Sequence, residues 1–454
     1  MKSCKALFVV AIAIGFSCAP LHWAVSGDSQ ATKKHPNLLI DISAALVNAV
    51  VKRSVDKTDD VQEIIQDSPV HGRARTIGAV SPELVPDSRH AVLDVFLRGH
   101  VYSRTIATRP HVFLSTTTEI PLEASNRIVI DETGARIFHG RASATATTTL
   151  LGVSSRAEPD VIAMRVAGQF FERNRKYAEA ESASKTAWRA SSELAAELTP
   201  ALTAASDALK TVRKAGLVLE AMKFSTTADS IHANVCLAAP GRTRAGAAPA
   251  LPAGIDLGVR VHESLLNEAA QALYGGKSFP LDKLNHLYEE VTLGLLIDGR
   301  KENGRKDTLK TLEKLLADVL GAATIMTFAE KNPMTVAIVE QGFTIEIQVS
   351  SIRQAKLAYA GSKVSASYRL EHSQEGVHLV RKGPVRLVPN AGSDKIKAAP
   401  ASFVFAQEML FAELLKGRLT LAPLPMPAAL ARLQLSTPRA ATRDGWLGVV
   451  WNAK

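Results

Sequence analysis

The sequence predicts an α+β protein of two related units, each an antiparallel, curved sheet carrying long amphipathic helices. Three observations carry that expectation. Period-two alternation rich in Val and Thr recurs in both halves of the chain, which is the pattern of antiparallel strands with one wet face. A long charged stretch with four-residue Glu/Lys spacing lies toward the end of the first half. Near the middle, a run of Pro, Gly and Ala without apolar periodicity breaks the chain in two.

The chain opens as a secretory signal. Lys2 and Lys5 precede an uncharged apolar run, Ala6 to Phe16, and Pro20 and Gly27 follow. Ala24-Val25-Ser26 offers small residues for cleavage after Ser26, so residues 1–26 are read as the signal peptide. Cys18, after Gly15-Phe16-Ser17, is the competing lipoprotein site. The run is short of the roughly 20 apolar residues that a spanning helix needs. Export to a periplasm, envelope or medium is therefore expected, away from ATP and nicotinamide pools. Two or three domains of roughly 100–200 residues fit in what remains. Of the three cysteines only Cys236 lies beyond the signal, so no disulfide forms within the mature chain. Val235-Cys236-Leu237 suggests a small buried hydrophobe.

The first unit spans 36–239. It starts with Ile40 to Val51, a short strand and then an amphipathic helix. Leu93, Val95 and Leu97 alternate with Asp94, Phe96 and Arg98, and 112–118, 127–131 and 136–149 read as further strands. A helical segment covers 160–214. Within it Glu172/Lys176, Glu181/Lys185 and Arg189/Glu193 sit four residues apart, each pair adding about 0.2–0.5 kcal/mol. Thr199-Pro200 reads as a fresh helix start. The linker is 240–254. The second unit, 255–454, opens with Val259 to Ala270, which repeats the pattern of Ile40 to Val51 down to Leu46/Leu265 and Asn48/Asn267. Strands at 343–349, 363–370 and 385–387, helices around 309–319 and 403–416, and a closing strand from Arg418 to Leu435 follow.

A net charge of +10 and a pI near 9.4 raise the question of acidic partners. Nucleic acid is excluded by the export signal, by dispersed basic residues and by an aromatic content of 5%, too sparse for a stacking platform. The densest basic cluster, Arg300-Lys301 and Arg305-Lys306, reads as a solvated loop, with an anionic envelope surface as the sharper alternative.

Catalytic and metal spacings are missing, so no catalytic, cofactor or metal residue is assigned. His262-Glu263 starts a zinc-protease motif, but Leu266 stands where the second His belongs, leaving an exposed helix start. Gly275-Gly276-Lys277-Ser278 lacks the first glycine of a phosphate loop, since Gln271 occupies its place. Asp56 to Asp60 lacks the glycine and closing Glu of a calcium loop and reads as a solvated turn. His100, His111 and His139 read as scattered surface histidines, with a shared zinc site as the alternative. Asn48 and Asn267 are expected to bond neighbouring backbone. Trp188, Trp446 and Trp451 are expected in apolar packing, or as a wall against a ligand.

The paired openings Ile40–Val51 and Val259–Ala270, with their helix-bearing sheets, give the chain an architecture that resembles the tubular lipid-binding superfamily, which includes the bactericidal/permeability-increasing fold. The resemblance implies sheets wrapped around long helices to leave an apolar tunnel for acyl chains. The expectation is thus a non-enzymatic protein that binds an apolar or amphipathic ligand such as lipid. The alternative is a structural or interaction protein of the envelope with no ligand cavity.

Overall fold

The computed structural model describes residues 35–109, 112–155, 161–214, 218–238, 246–280, 324–354, 357–374, 376–392, 396–420 and 435–453. The signal segment, Cys18, His111, the first part of the linker, the Arg300 cluster and the 309–319 helix lie outside these residues. The chain begins with β1 (Leu38–Ser43) and α1 (Ala44–Val51). Then come β2 (Arg53–Ile65), β3 (Ser68–Leu84), β4 (Ala91–Thr108), β5 (Val112–Asp131), β6 (Gly134–Ala144), β7 (Thr147–Ser155) and α2 (Val161–Lys214). A hairpin follows, β8 (Val218–Thr226) and β9 (Ser230–Ala238), then β10 (Leu257–His262), α3 (Glu263–Tyr274) and β11 (Ser278–Pro280). Beyond these lie β12 (Thr324–Phe328), β13 (Met334–Val339), β14 (Gly342–Gln354), β15 (Leu357–Ala360), β16 (Ser362–Ser373) and β17 (Gly376–Pro389). The chain closes with α4 (Ala401–Leu414), β18 (Arg418–Thr420), β19 (Arg439–Arg443) and β20 (Trp446–Trp451). The fold is predominantly antiparallel sheet with few helices, a mixed α+β class.

Two compact units emerge. Among the described residues, the first holds 44–206 and 225–231, and the second holds the rest. The first is built on the sheet β2-β3-β4-β5-β6, with β7 also paired to β5. Its inner face is apolar on every second residue: Val70 and Val80 on β3, Val95 and Val101 on β4, Ile120, Leu122 and Ala124 on β5. The second unit contains an eight-stranded sheet built around β14, β16 and β17, with a core that includes Phe343, Ile345, Val364, Tyr368 and Leu379. It also contains β10 and β20 and most of the six-stranded sheet β19-β20-β10-β1-β9-β8.

The sequence-paired segments meet in that six-stranded sheet. β1 and β10 run antiparallel with Ile40 opposite Val259. Asp41 and Arg260, 219 positions apart, form an ion pair at 2.6 Å, and Asp41 also takes His232 Nδ1 at 2.6 Å. The helices after the two strands, α1 and α3, begin at Ala44 and Glu263, the same offset apart. Asn48 donates to Ala44 O at 3.0 Å, inside its own helix. Asn267 bridges to β13, donating to Val336 O at 3.1 Å and accepting from Val336 N at 2.6 Å.

Several expectations are corrected. α2 is one helix through Pro200, and the Thr199 hydroxyl bonds back to Ala195 O at 2.9 Å instead of capping a new start. The single strand expected at 136–149 is two, β6 and β7, which pair with different stretches of β5. Asp56 to Asp60 is part of β2. Its carboxylates are taken up by neighbours: Asp56 binds Arg75 at 2.6–2.8 Å across the hairpin, and Asp59 binds Lys57 at 3.0 Å.

Candidate functional site

The site grows from how α2 meets its sheet. Its polar face contacts edge strand β2, through Glu197 with Arg53, Glu193 with Lys57 at 3.4 Å and Arg189 with Glu63. The same helix touches the far side of the sheet, where Thr148 N of β7 donates to Glu179 at 2.7 Å and α2 lies beside β6. Five strands spaced about 4.8 Å apart are far wider than a helix of about 10–12 Å. Both edges reach one helix only because the sheet bends around it. Bulges in β5 at Ser115/Thr116 and Ala124/Asn126 supply bend where β7 and β6 pair. The fully buried Asn126 fixes this arrangement, donating to Ser191 O at 3.0 Å while accepting from Gly140 N at 3.3 Å.

Under the helix lies an apolar chamber of about 160 Å³. Its walls are Val70, Val80, Leu97, Val101, Ile120, Leu122, Ala190 and Leu194, with the hydroxyl side chains of Thr76, Ser103, Thr105, Thr118, Ser182 and Thr186 among them. Beside these walls part of the sheet carries no side chain. Gly78 on β3 faces Gly99 on β4, between the lining pairs Thr76/Val101 and Val80/Leu97. A Cβ on Gly78 would stand 2.5 Å from Arg98 O, so the strands approach too closely for any larger residue. Opposite, α2 presents Ser182, Thr186 and Ala190, all small.

The chamber's rim toward β2 is charged. Besides the three pairs above, Lys185 Nζ donates to Ile64 O at 2.5 Å and to Glu181 at 2.6 Å, while Gln66 donates twice to Glu181, at 3.1 and 3.2 Å. The hydrogen bond from Lys185, aided by Gln66, holds Glu181 below the ordinary carboxylate value. The Asp59 carboxylate, with Glu193 beyond it, holds Lys57 above the ordinary lysine value.

On the other side of α2, an open groove of about 710 Å³ runs beside its contact with β6. Small residues line it: Gly140, Ala142 and Ala144 from the strand, Ala180, Ser184, Ala187 and Ser191 from the helix. Trp188 stands at its lip, 73% exposed. This corrects the expectation of core packing for Trp188, since helical periodicity alone does not say which face the sheet covers. Trp446 and Trp451 are buried, and Trp446 packs edge-on against His262 at 5.0 Å.

The other motifs resolve into structure. His262 is buried, correcting the exposed helix start, and caps α3: its Nδ1 accepts from Ser264 N at 3.1 Å. Burial holds it below the ordinary histidine value. Gly275 and Gly276 end α3, Gly275 N donating to Gln271 O and Gly276 turning at φ +69°. His100 sits on the outer face of β4, 3.3 Å from Glu119. It lies opposite Pro121, whereas His139 pairs with Asn126, five residues or about 17 Å along β5. Among the described residues no three metal-ligating side chains converge. Cys236 is buried, its Sγ 3.6 Å from Glu220. Sequence reasoning missed the chamber; the one local signal for it was glycine inside strand-like segments at 78 and 99.

No family model matches the chain, and no curated protein matches it. Among solved structures it is similar to the crystal structure of lipopolysaccharide binding protein, at 11% identity and a TM-score of 0.31, over 92% of this chain and 99% of that one. It is also similar to P47 of Clostridium botulinum E1, at 8% identity and a TM-score of 0.28, over 93% and 100%. P47 from Clostridium botulinum A2 gives 9% identity and a TM-score of 0.27, over 92% and 97%.

Proposed function

We propose that this is an exported, non-enzymatic protein whose first unit holds the apolar part of an amphipathic ligand such as a lipid. The chamber carries this reading. A partly open space of about 160 Å³, walled by aliphatic side chains with threonine and serine hydroxyls among them, has the size that accepts a benzene-sized guest. Each CH₂ entering it gains about 0.8 kcal/mol by leaving water. The charged rim at β2 suits a headgroup, while the interior offers aliphatic side chains interrupted only by hydroxyls. The secretory reading of residues 1–26 places the protein outside the cytoplasm, where such ligands are membrane lipids. The equal offset of β1–α1 and β10–α3 supports reading the chain as an internal duplication.

Native mass spectrometry with organic extraction tests the reading. Wild-type protein is expected to carry acyl lipid, and Val101→Phe with Ala190→Phe, which fill the chamber, to lose it. A lipid-free wild type, or a filled variant that keeps its lipid, refutes the assignment.

A further inference from the structure

Helix α2 has a second surface, away from the chamber. Ile162, Val166, Phe170, Tyr177 and Trp188 are 76%, 58%, 46%, 69% and 73% exposed. At about 100° per residue these five fall within an arc of about 80°, a single apolar row about 39 Å long. A row of large apolar side chains in water costs solubility and marks an interaction surface.

Charge says what covers it. Residues 161–177, where the row is densest, carry Arg165, Arg173, Arg175 and Lys176 against Glu172 alone. Glu172 is 3.4 Å from Arg175. Among the described residues, Arg165, Arg173 and Lys176 have no carboxylate within ion-pair distance. Just past β4, Arg109 adds its guanidinium over the Phe170 ring at 4.9 Å and donates to Gln66 O at 2.9 Å. Farther along, Glu179, Glu181, Glu193 and Glu197 outnumber Lys185 and Arg189. Between residues 161 and 200 the basic excess is thus confined to the turns that bear Ile162, Val166, Phe170 and Tyr177. A second copy meeting this face would set like charges together, whereas an anionic bilayer complements it. Apolar and aromatic residues on one face with Lys and Arg beside them is the layout of a helix lying in a membrane interface. Among the described residues no helix is long and apolar enough to cross a bilayer.

We propose that the row Ile162, Val166, Phe170 and Tyr177, with Arg165, Arg173 and Lys176, docks the protein onto an anionic lipid surface. The proposal stands apart from the chamber, which none of these side chains lines. Co-sedimentation of the full chain with vesicles of phosphatidylcholine, with and without phosphatidylglycerol, tests it. Binding is expected only with phosphatidylglycerol. Losing one basic contact weakens such binding about fivefold, so Arg173→Ala with Lys176→Ala should weaken it roughly 25-fold. Val166→Ser with Phe170→Ser should abolish it, with circular dichroism unchanged because both positions are exposed. Equal binding to neutral vesicles, or full binding by both variants, overturns the proposal. So does a wild-type dimer that the Val166→Ser, Phe170→Ser variant converts to monomer, which would assign the row to a second copy. Lipid extraction from the same samples reports on the chamber separately.

Discussion

Helix α2 meets the two edges of its sheet by different chemistry. Toward β2 it uses Glu197, Glu193, Arg189 and Lys185, partly exposed charges paired across the seam. Toward β6 it uses Ala183, packed in one cluster with Ala142 and Ala144, with a groove left open beside them. Exposed ion pairs contribute about 0–1 kcal/mol each and are screened by salt, whereas packed alkyl groups are neither weak nor salt-sensitive. The β2 seam is therefore the side that opens at least cost, and the apolar chamber lies directly behind it. The β6 side sets the helix in place.

The contrast can be broken by experiment. The largest effect is expected from Leu194→Ala, which removes a side chain 3% exposed beneath the helix and should cost about 2–5 kcal/mol in urea unfolding. A loss under about 1 kcal/mol would mean that the charged seam, not packing, anchors α2. Next, Ala183→Leu at a site 7% exposed overfills the β6 contact and should cost about 1–3 kcal/mol. If it stabilises instead, the two elements are less closely packed than described.

Smaller effects belong to the seam. Replacing Arg53, Lys57 and Arg189 by Gln should cost about 0.6–3 kcal/mol together, from three exposed pairs at about 0.2–1 kcal/mol each. The same variant should release a fluorescent fatty acid faster than wild type at low salt and no faster at high salt. Unchanged release at low salt would close this route. The smallest effect is on pH. Glu181 is held below its ordinary 4.5, so its contribution is complete above that value and is lost as the pH falls through the lowered one. Protection factors of β2 amides, taken against the intrinsic rate at each pH, should therefore fall below about pH 4.5 while those of β6 hold. An equal fall in both would separate the seam from Glu181.

Much of the sheet was legible because burial on one face forces alternation, as at Leu93-Val95-Leu97 and along 343–349. Strand β2 was not legible. It is an edge strand whose exposed Asp56, Lys57, Asp59 and Asp60 read as a turn until Arg75 and Arg73 of β3 face them. The chamber was hidden for a related reason. Gly78 and Gly99 mean little until register sets them opposite each other, and Ala190 and Leu194 close the space from a helix far along the chain.

By itself the sequence determined the α+β class, the helical character of 160–214 though not its continuity through Pro200, and the two strand–helix openings, because local periodicity and turn chemistry are carried by neighbours in the chain. Only the tertiary structure decided which face of α2 meets the sheet, that Trp188 stands in water while Trp446 does not, and that a void lies under the helix. Those outcomes depend on curvature and register, which arise from contacts between residues distant in sequence and leave no periodic mark on any one segment.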